Sequence, residues 1–388
     1  MSKIKLLVID IQNAGVGKFR FRDPHIALQK NFKEEFHIDI MANPPLGNKK
    51  FYSQYDGVFA QGSLVLRDEV YELLEHLRKE GIKIILDLDD YWRLPASHAM
   101  YKKLEDNWKK LTSRLKVANL ITTTTKELAK KIMKHNKRVA VVPNAIIPTD
   151  KQFQPNPIPS NRVRIGWVGG SSHGEDLKLL RGVFGKLKNI SVDTQMVMCG
   201  FNNLSRDINT GKTEKVAFPK VWMQCESILT NNYSVDEEYR HWLLRPVEAE
   251  YPNVENKEYR RIWTKDVSEY GTCYNHIDIA LAPLVDNNFN AMKSQLKVLE
   301  AGFHRKPLIV SEISPYLIDC VHGKNAFIVP EKRKHKDWFK YCKMLALEPN
   351  LREDMGEALY ETVKNKYNQN RLSNFRAQLY RKYLSDDS

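Results

Sequence analysis

The chain of 388 residues exceeds one usual domain of about 150. Its 42% hydrophobic and 28% charged residues, with 18 Gly and 17 Pro, exclude disorder, collagen-like structure and a disulfide scaffold. Lys and Arg number 61 against 47 Asp and Glu, a formal charge of +14, which favours anionic partners and is silent about fold.

Ile4 to Ile9 is a β-branched and aliphatic run followed by Asn13, Gly15 and Gly17 and a helical pattern through His25 to Phe32: strand, glycine loop, helix. The cycle repeats with a strand at Gly57 to Ala60, a helix over Asp68 to Lys79 and a strand at Ile82 to Leu86 that runs into Asp87, Asp89 and Asp90. A helix from about Tyr101 to Val117, a strand at Leu120 to Thr122, a helix over Lys126 to His135 and a strand at Val139 to Val142 close the first half at Pro143-Asn144. Pro148, Pro155, Pro157 and Pro159 then mark a stiff linker.

The second half restarts the alternation. Val163 to Val168 reads as a strand, Gly169 to Ser172 as a turn, Asp176 to Leu187 as a helix and Gln195 to Cys199 as a strand. Ile277 to Ala282, Lys293 to Phe303, Pro307 to Val310 and a tail from about Asp337 read as strand, helix, strand and helix. Residues 201–270 are polar and read as an elaborated helical insertion. The expected fold class is α/β, with two doubly wound, Rossmann-like domains facing a cleft. The expected boundaries are 1–148, a linker at 149–160, 161–370, and a helical tail at 371–388 packing back on the first domain.

The five cysteines, Cys199, Cys225, Cys273, Cys320 and Cys342, lie far apart with no C-x-x-C pair, which points to a reducing setting and away from zinc. The run Leu6 to Ile9 is too short for a signal-peptide core, and no segment approaches the about twenty apolar residues of a membrane span. The expectation is a cytoplasmic chain with no integral membrane span, in peripheral contact with a membrane or with DNA.

In open parallel sheets ligands bind at the carboxyl ends of strands. Three clusters fall there. Gly15-Val16-Gly17 lets a backbone approach an anion, although Arg20 occupies the third glycine position of a dinucleotide fingerprint. Gly169-Gly170-Ser171-Ser172-His173-Gly174 offers N–H and hydroxyl donors to a phosphate, with no Walker pattern beside it. The third runs from Ile277 to Pro283, through Lys293, Ser294, Lys297 and Glu300, to Pro307 to Val310, and forms a coherent nucleotide site.

At these residues the chain resembles the family-4 glycosyltransferases of the GT-B fold. Asp278 to Pro283 match the family's D-I-x-L-x-P strand, Pro307 to Val310 the following one, and Glu300 the second glutamate of E-x7-E, while Met292 stands in place of the first. The resemblance implies a nucleotide-sugar co-substrate (UDP-, GDP- or another NDP-sugar), no required cofactor or metal, retention of anomeric configuration, and Glu300 on the nucleotide ribose. The first domain then takes the acceptor and the second the donor. Gly15, Gly17, Gly169, Gly170, Ser171, His173, Lys178, Ser294, Lys297 and Glu300 are the expected donor-binding residues. Lys293 is expected to stabilise the leaving diphosphate, and Asp89 and Asp90 to meet an acceptor hydroxyl or positive sugar character.

Between residues 102 and 138 twelve Lys or Arg stand against three acids. Tyr101, Leu104, Trp108, Leu111 and Leu115 keep helical spacing beside these charges, giving a basic amphipathic helix. Arg20, Lys102, Lys103, Lys109 and Lys110 are the expected anion contacts. Two acceptor classes fit: a saccharide at an anionic membrane, as in envelope or lipid-linked synthesis, and nucleic acid, as in phage-type enzymes that glycosylate hydroxymethylated bases. An inactive scaffold that binds nucleotide sugar is the non-enzymatic alternative, because of Met292.

Overall fold

The structure is a computed structural model describing residues 3–11, 15–96, 101–206 and 213–384. Asn13 and residues 207–212 and 385–388, parts of the expected loop, insertion and tail, lie outside them. The chain divides into two compact units, one of Met1–Pro148, Asn287–Leu296 and Asn365–Ser388, the other of Thr149–Asp286 and Lys297–Lys364. Residues 287–296, which the sequence reading runs into the second domain, group with the first unit.

The first unit is built on six strands: β1 (Ile4–Ile9), β2 (Phe36–Met41), β3 (Gly57–Gln61), β4 (Lys83–Leu88), β5 (Leu120–Thr123) and β6 (Val139–Val141). They form one parallel sheet in the order β2-β1-β3-β4-β5-β6. Strands β1, β3 and β4 in its interior carry unbroken apolar runs because helices cover both faces, whereas the edge strand β2 alternates. Leu7, Val58, Ile84 and Leu86 pack on one face with Leu73, Leu77 and Leu111. Leu6, Val8, Phe59 and Ile85 pack on the other with Leu28, Tyr380 and Leu384. The last two come from the helix Gln369–Leu384, whose Tyr380 hydroxyl lies 2.8 Å from Nε2 of the buried His25.

The second unit carries β7 (Val163–Val168), β8 (Thr194–Phe201), an antiparallel ribbon of β9 (Leu204–Arg206) and β10 (Thr213–Lys215), then β11 (Tyr259–Trp263), β12 (Ile279–Ala282), β13 (Leu308–Ser311) and β14 (Phe327–Val329). Its main sheet is parallel, in the order β11-β8-β7-β12-β13-β14. The insertion contains helices, Lys220–Ser234 and Glu237–Leu243, but also the edge strand β11, which the sequence reading passes over. Its run Tyr-Arg-Arg-Ile-Trp looks polar, yet the buried Arg261 guanidinium is held bidentately by Glu226 at 2.7 and 2.6 Å, and Arg260 by Glu250 and Glu255. The helix expected over Asp176 to Leu187 is broken in two, because Gly182 takes φ +76°, where a side chain would be strained.

Candidate functional site

Each sheet reverses its strand order once, between β1 and β3 in the first unit and between β7 and β12 in the second. Loops leaving the carboxyl ends of strands at such a point diverge and open a crevice. The glycine loops after β1 and β7 both leave from these positions.

In the first unit Gly15 begins a helical segment that continues as a wide turn over Gly17–Arg22 and then a helix, Asp23–Asn31. A Cβ added at Gly15 would meet nothing within 4 Å, so no packing against the described residues explains that glycine. Arg20 is one of the expected anion contacts. Its buried guanidinium forks onto Asp87 at 2.9 and 2.7 Å and also donates to the Val142 carbonyl and Asn144 Oδ1. The Thr122 hydroxyl donates to Asp87 as well, at 2.5 Å. This network ties the ends of β4, β5 and β6 to the first loop, and so Arg20 builds the strand ends rather than offering a charge to solvent.

Asp89 and Asp90 stand just past Asp87. Burial, reinforced by the charges of Asp90 and Asp87 and opposed by Arg20, raises the half-buried Asp89 carboxyl to about 7. Asp90 is exposed, with Lys293 Nζ 3.8 Å from its Oδ2. Lys293 is extended (φ −61°, ψ 164°), and the helix expected to begin there starts at Leu296. Lys293 and Lys297 therefore do not share a helical face. Ser294 Oγ accepts from Asn144 Nδ2 at 3.0 Å, and Met292 is buried in the first unit's core. The structure thus brings Asp89, Asp90, Lys293 and Ser294 to the strand ends of the first unit.

In the second unit Gly169 is required by packing, since its Cβ would fall 2.3 Å from the Trp167 ring. Gly170 has no such reason: a Cβ there would meet nothing within 4 Å. Ser171 is exposed beside it, and His173 Nδ1 lies 2.7 Å from Asp176 Oδ2. Asp176 in turn accepts from the Val285 N–H beyond β12 at 2.8 Å, joining the two switch-point loops. Lys178 is exposed and paired with Glu175.

Glu300 sits fully buried in the helix Leu296–Phe303. Its oxygens accept from the Tyr270 hydroxyl at 2.7 Å, the Tyr274 hydroxyl at 2.9 Å and Lys297 Nζ at 2.8 Å. Burial, and then the Glu300 charge, push both phenols well above their ordinary range, keeping them protonated donors. Asp278 accepts from the Arg164 backbone N–H of β7 at 2.8 Å and so fixes the strand that precedes the glycine loop. The sequence reading assigns no site role to Asp176, Tyr270 or Tyr274, and Asn144 enters it only within Val142-Pro143-Asn144 at the close of the first half. The available signal for the tyrosines is their i, i+4 spacing, with Tyr270 at the end of the stretch read as insertion and Tyr274 just past it.

The remaining expected cations lie on the helical segment after β4. Lys102 and Lys109 are exposed, Lys110 pairs with Asp68 at 2.9 Å, and the Lys103 side chain lies outside the described residues. The apolar stripe of this segment is buried in the first unit, with Trp108 6%, Leu111 3% and Leu115 0% exposed. Tyr101 and Leu104, at the start of the stripe, are half-buried. Among the described residues no helix is long and apolar enough to cross a membrane, and no group of three or more His, Cys, Asp or Glu could hold a metal ion.

Comparison of the whole chain with solved structures finds a glycosyltransferase from Rickettsia africae at TM-score 0.61 and 15% identity, each chain covered completely. Sucrose-phosphate synthase from Thermosynechococcus elongatus gives TM-score 0.66 at 11% identity, over 98% of this chain and 99% of that one. The fold is that of the two-domain GT-B glycosyltransferases. HepE of Anabaena, solved in complex with UDP and glucose, gives TM-score 0.64 at 11% identity, again over 98% and 99%. No protein-family model and no curated protein matches the chain by sequence.

Proposed function

We propose that the protein is a glycosyltransferase that moves a sugar from a nucleotide-sugar donor to an anionic acceptor, with retention at the anomeric carbon as the family-4 resemblance implies. The observation that carries this reading is Gly170. It stands at the switch point of the second sheet, next to Ser171 and His173, and no packing against the described residues calls for a glycine there. A bare backbone N–H there suits a diphosphate that must come within hydrogen-bond distance. The likeness over the whole chain to a protein solved with UDP and glucose supports UDP-sugars as the first donors to try.

In this reading the second unit holds the donor. Gly169, Gly170, Ser171 and His173 meet the diphosphate, whose charge grows as the glycosidic bond breaks, so fixed donors stabilise the transition state more than the ground state. Lys297 and Lys178 add positive charge. Glu300, fully buried, acts on the ribose through the groups it holds, Tyr270, Tyr274 and Lys297. Within the first unit Gly15, Gly17, Lys293 and Ser294 are anion contacts, and Asp89 and Asp90 acceptor contacts. A carboxyl raised to about 7 is matched to taking a hydroxyl proton near neutral pH.

The test is release of nucleoside diphosphate from a panel of nucleotide sugars, followed by mass spectrometry of mixed acceptors. A mass gain of one sugar is expected on an acceptor. No release from any donor, with or without acceptor, would leave only a nucleotide-sugar-binding scaffold, the reading that Met292 favours.

A further inference from the structure

We infer that the first unit carries a pocket for a phosphorylated saccharide, a recognition site distinct from the acidic run and set directly beyond it in the chain. The inference deepens the transferase reading and rests on it for the claim that the occupant is the acceptor. Tyr91 and Trp92 follow Asp90 and form one wall of a cavity of about 430 Å³, within the about 300–1,000 Å³ range of small-ligand sites. Trp108, on the helix Glu105–Arg114, and Lys131, on the helix Lys126–Ile132, form the others with Arg93, Lys109 and Lys134.

Three features define the occupant. The first is charge. Arg93, Lys109, Lys131 and Lys134 line the cavity against one acid, Glu105, and among the described residues none of the four makes an ion pair. Four unneutralised cations around one concavity repel one another and are relieved by an anion. The second is a pair of orphaned donors. Among the described residues the buried indole N–H groups of Trp92 and Trp108 have no hydrogen-bond partner, and Trp108 is only 6% exposed. A buried donor left unpaired costs about 1–3 kcal/mol, and a ligand oxygen placed there removes that penalty.

The third is the packing of the rings, which separates a saccharide from a nucleobase. A base needs an open aromatic face on which to stack. Trp108 has the Arg93 guanidinium 5.8 Å from its ring centre and the Tyr101 ring edge-on at 5.0 Å. Trp92 is flanked by Tyr91 at 5.0 Å and by His135, edge-on, at 5.9 Å. With their rings already packed, both indoles contribute N–H donors and apolar walls, which suit hydroxyls, phosphate oxygens and the C–H surface of a sugar.

The experiment is isothermal titration of the full chain with glucose 6-phosphate, glucose, inorganic phosphate, a ten-nucleotide oligothymidylate and, separately, UDP. Glucose 6-phosphate is expected to bind at least about tenfold more tightly than either glucose or phosphate, since ring and anion are read together. A Lys131→Ala/Lys134→Ala double variant should weaken it about ten- to a hundredfold while leaving UDP affinity unchanged, and Trp92→Ala should weaken it as well. Three results would each overturn the inference: sugar phosphate binding no tighter than phosphate, affinity unmoved by the double variant, or oligonucleotide outcompeting sugar phosphate with its binding lost in the same variant. If UDP fails to bind while sugar phosphate behaves as expected, the pocket stands and the transferase reading falls.

Discussion

The two units share a sheet architecture and differ in what stands at the strand ends. In the first unit these ends carry charge: a buried Arg20–Asp87 pair, the acidic side chains of Asp89 and Asp90, and Lys293 beside them. In the second they carry small residues, Gly169 to Ser172, with the only carboxylate of the expected donor set, Glu300, enclosed by two phenols and a lysine. The second unit also has a buried arginine–carboxylate pair, Arg261–Glu226, but it anchors the edge strand β11 to the helix Lys220–Ser234. The first unit thus gathers acidic side chains at its strand ends and the second a glycine–serine loop beside the His173–Asp176 pair, the difference on which the proposed division between acceptor and donor sides rests.

The largest effects should come from the two buried pairs. Arg20→Ala and Arg261→Ala each leave a buried carboxylate uncompensated and should each cost about 3–5 kcal/mol in chemical denaturation. Loss at only one of them would show that the pairs are not equivalent supports. Next, Lys293→Ala should lower donor turnover about 10²–10³-fold if it stabilises charge in the transition state, with the melting temperature little changed; an unaltered kcat would remove Lys293 from the chemistry.

Asp89 offers a sharper contrast, because its burden depends on pH. Its carboxyl is raised from the ordinary range to about 7. The folded state therefore holds that proton more tightly than the unfolded one, and stability falls as pH rises from about 4 through 7. Asp89→Asn should leave the melting temperature unchanged at pH 4, add about 2 kcal/mol at pH 8 after allowance for solvent contact, and abolish the limb of the pH–rate profile near 7. A stability gain independent of pH would contradict the raised value. The smallest effect is expected at Lys178, exposed and paired with Glu175, where Ala should change stability by less than about 0.5 kcal/mol and UDP affinity by less than about threefold.

The alternation of elements was legible because parallel strands covered on both faces are unbroken apolar runs, as in Leu6 to Ile9 and Ile84 to Leu86. The strand β11 was hidden because its charges are neutralised by partners 10 and 35 residues away, Glu250 and Glu226, which no local pattern reveals. Site positions were legible where backbone chemistry marks them: the glycine loops read from sequence do leave the switch points. Side-chain roles were less so. Nothing in the sequence says that Arg20 is enclosed by Asp87, Val142 and Asn144 or that Glu300 is enclosed by Tyr270 and Tyr274, since those contacts join residues 26 to 124 positions apart. The helix starts at Leu296 rather than Lys293 because Lys293 and Ser294, which suit a helix by composition, reach instead toward Asp90 and Asn144.

The most direct test of the central claim is calorimetric titration of UDP into the wild type and into Gly170→Ala. A Cβ at this position meets only open space in the protein, so the variant should fold with unchanged stability. UDP should bind the wild type at a single site and bind the variant at least about tenfold more weakly, because the methyl group occupies the path of the diphosphate to the backbone. Equal UDP affinity in the two proteins would contradict the assignment of the second unit's glycine loop as the donor site.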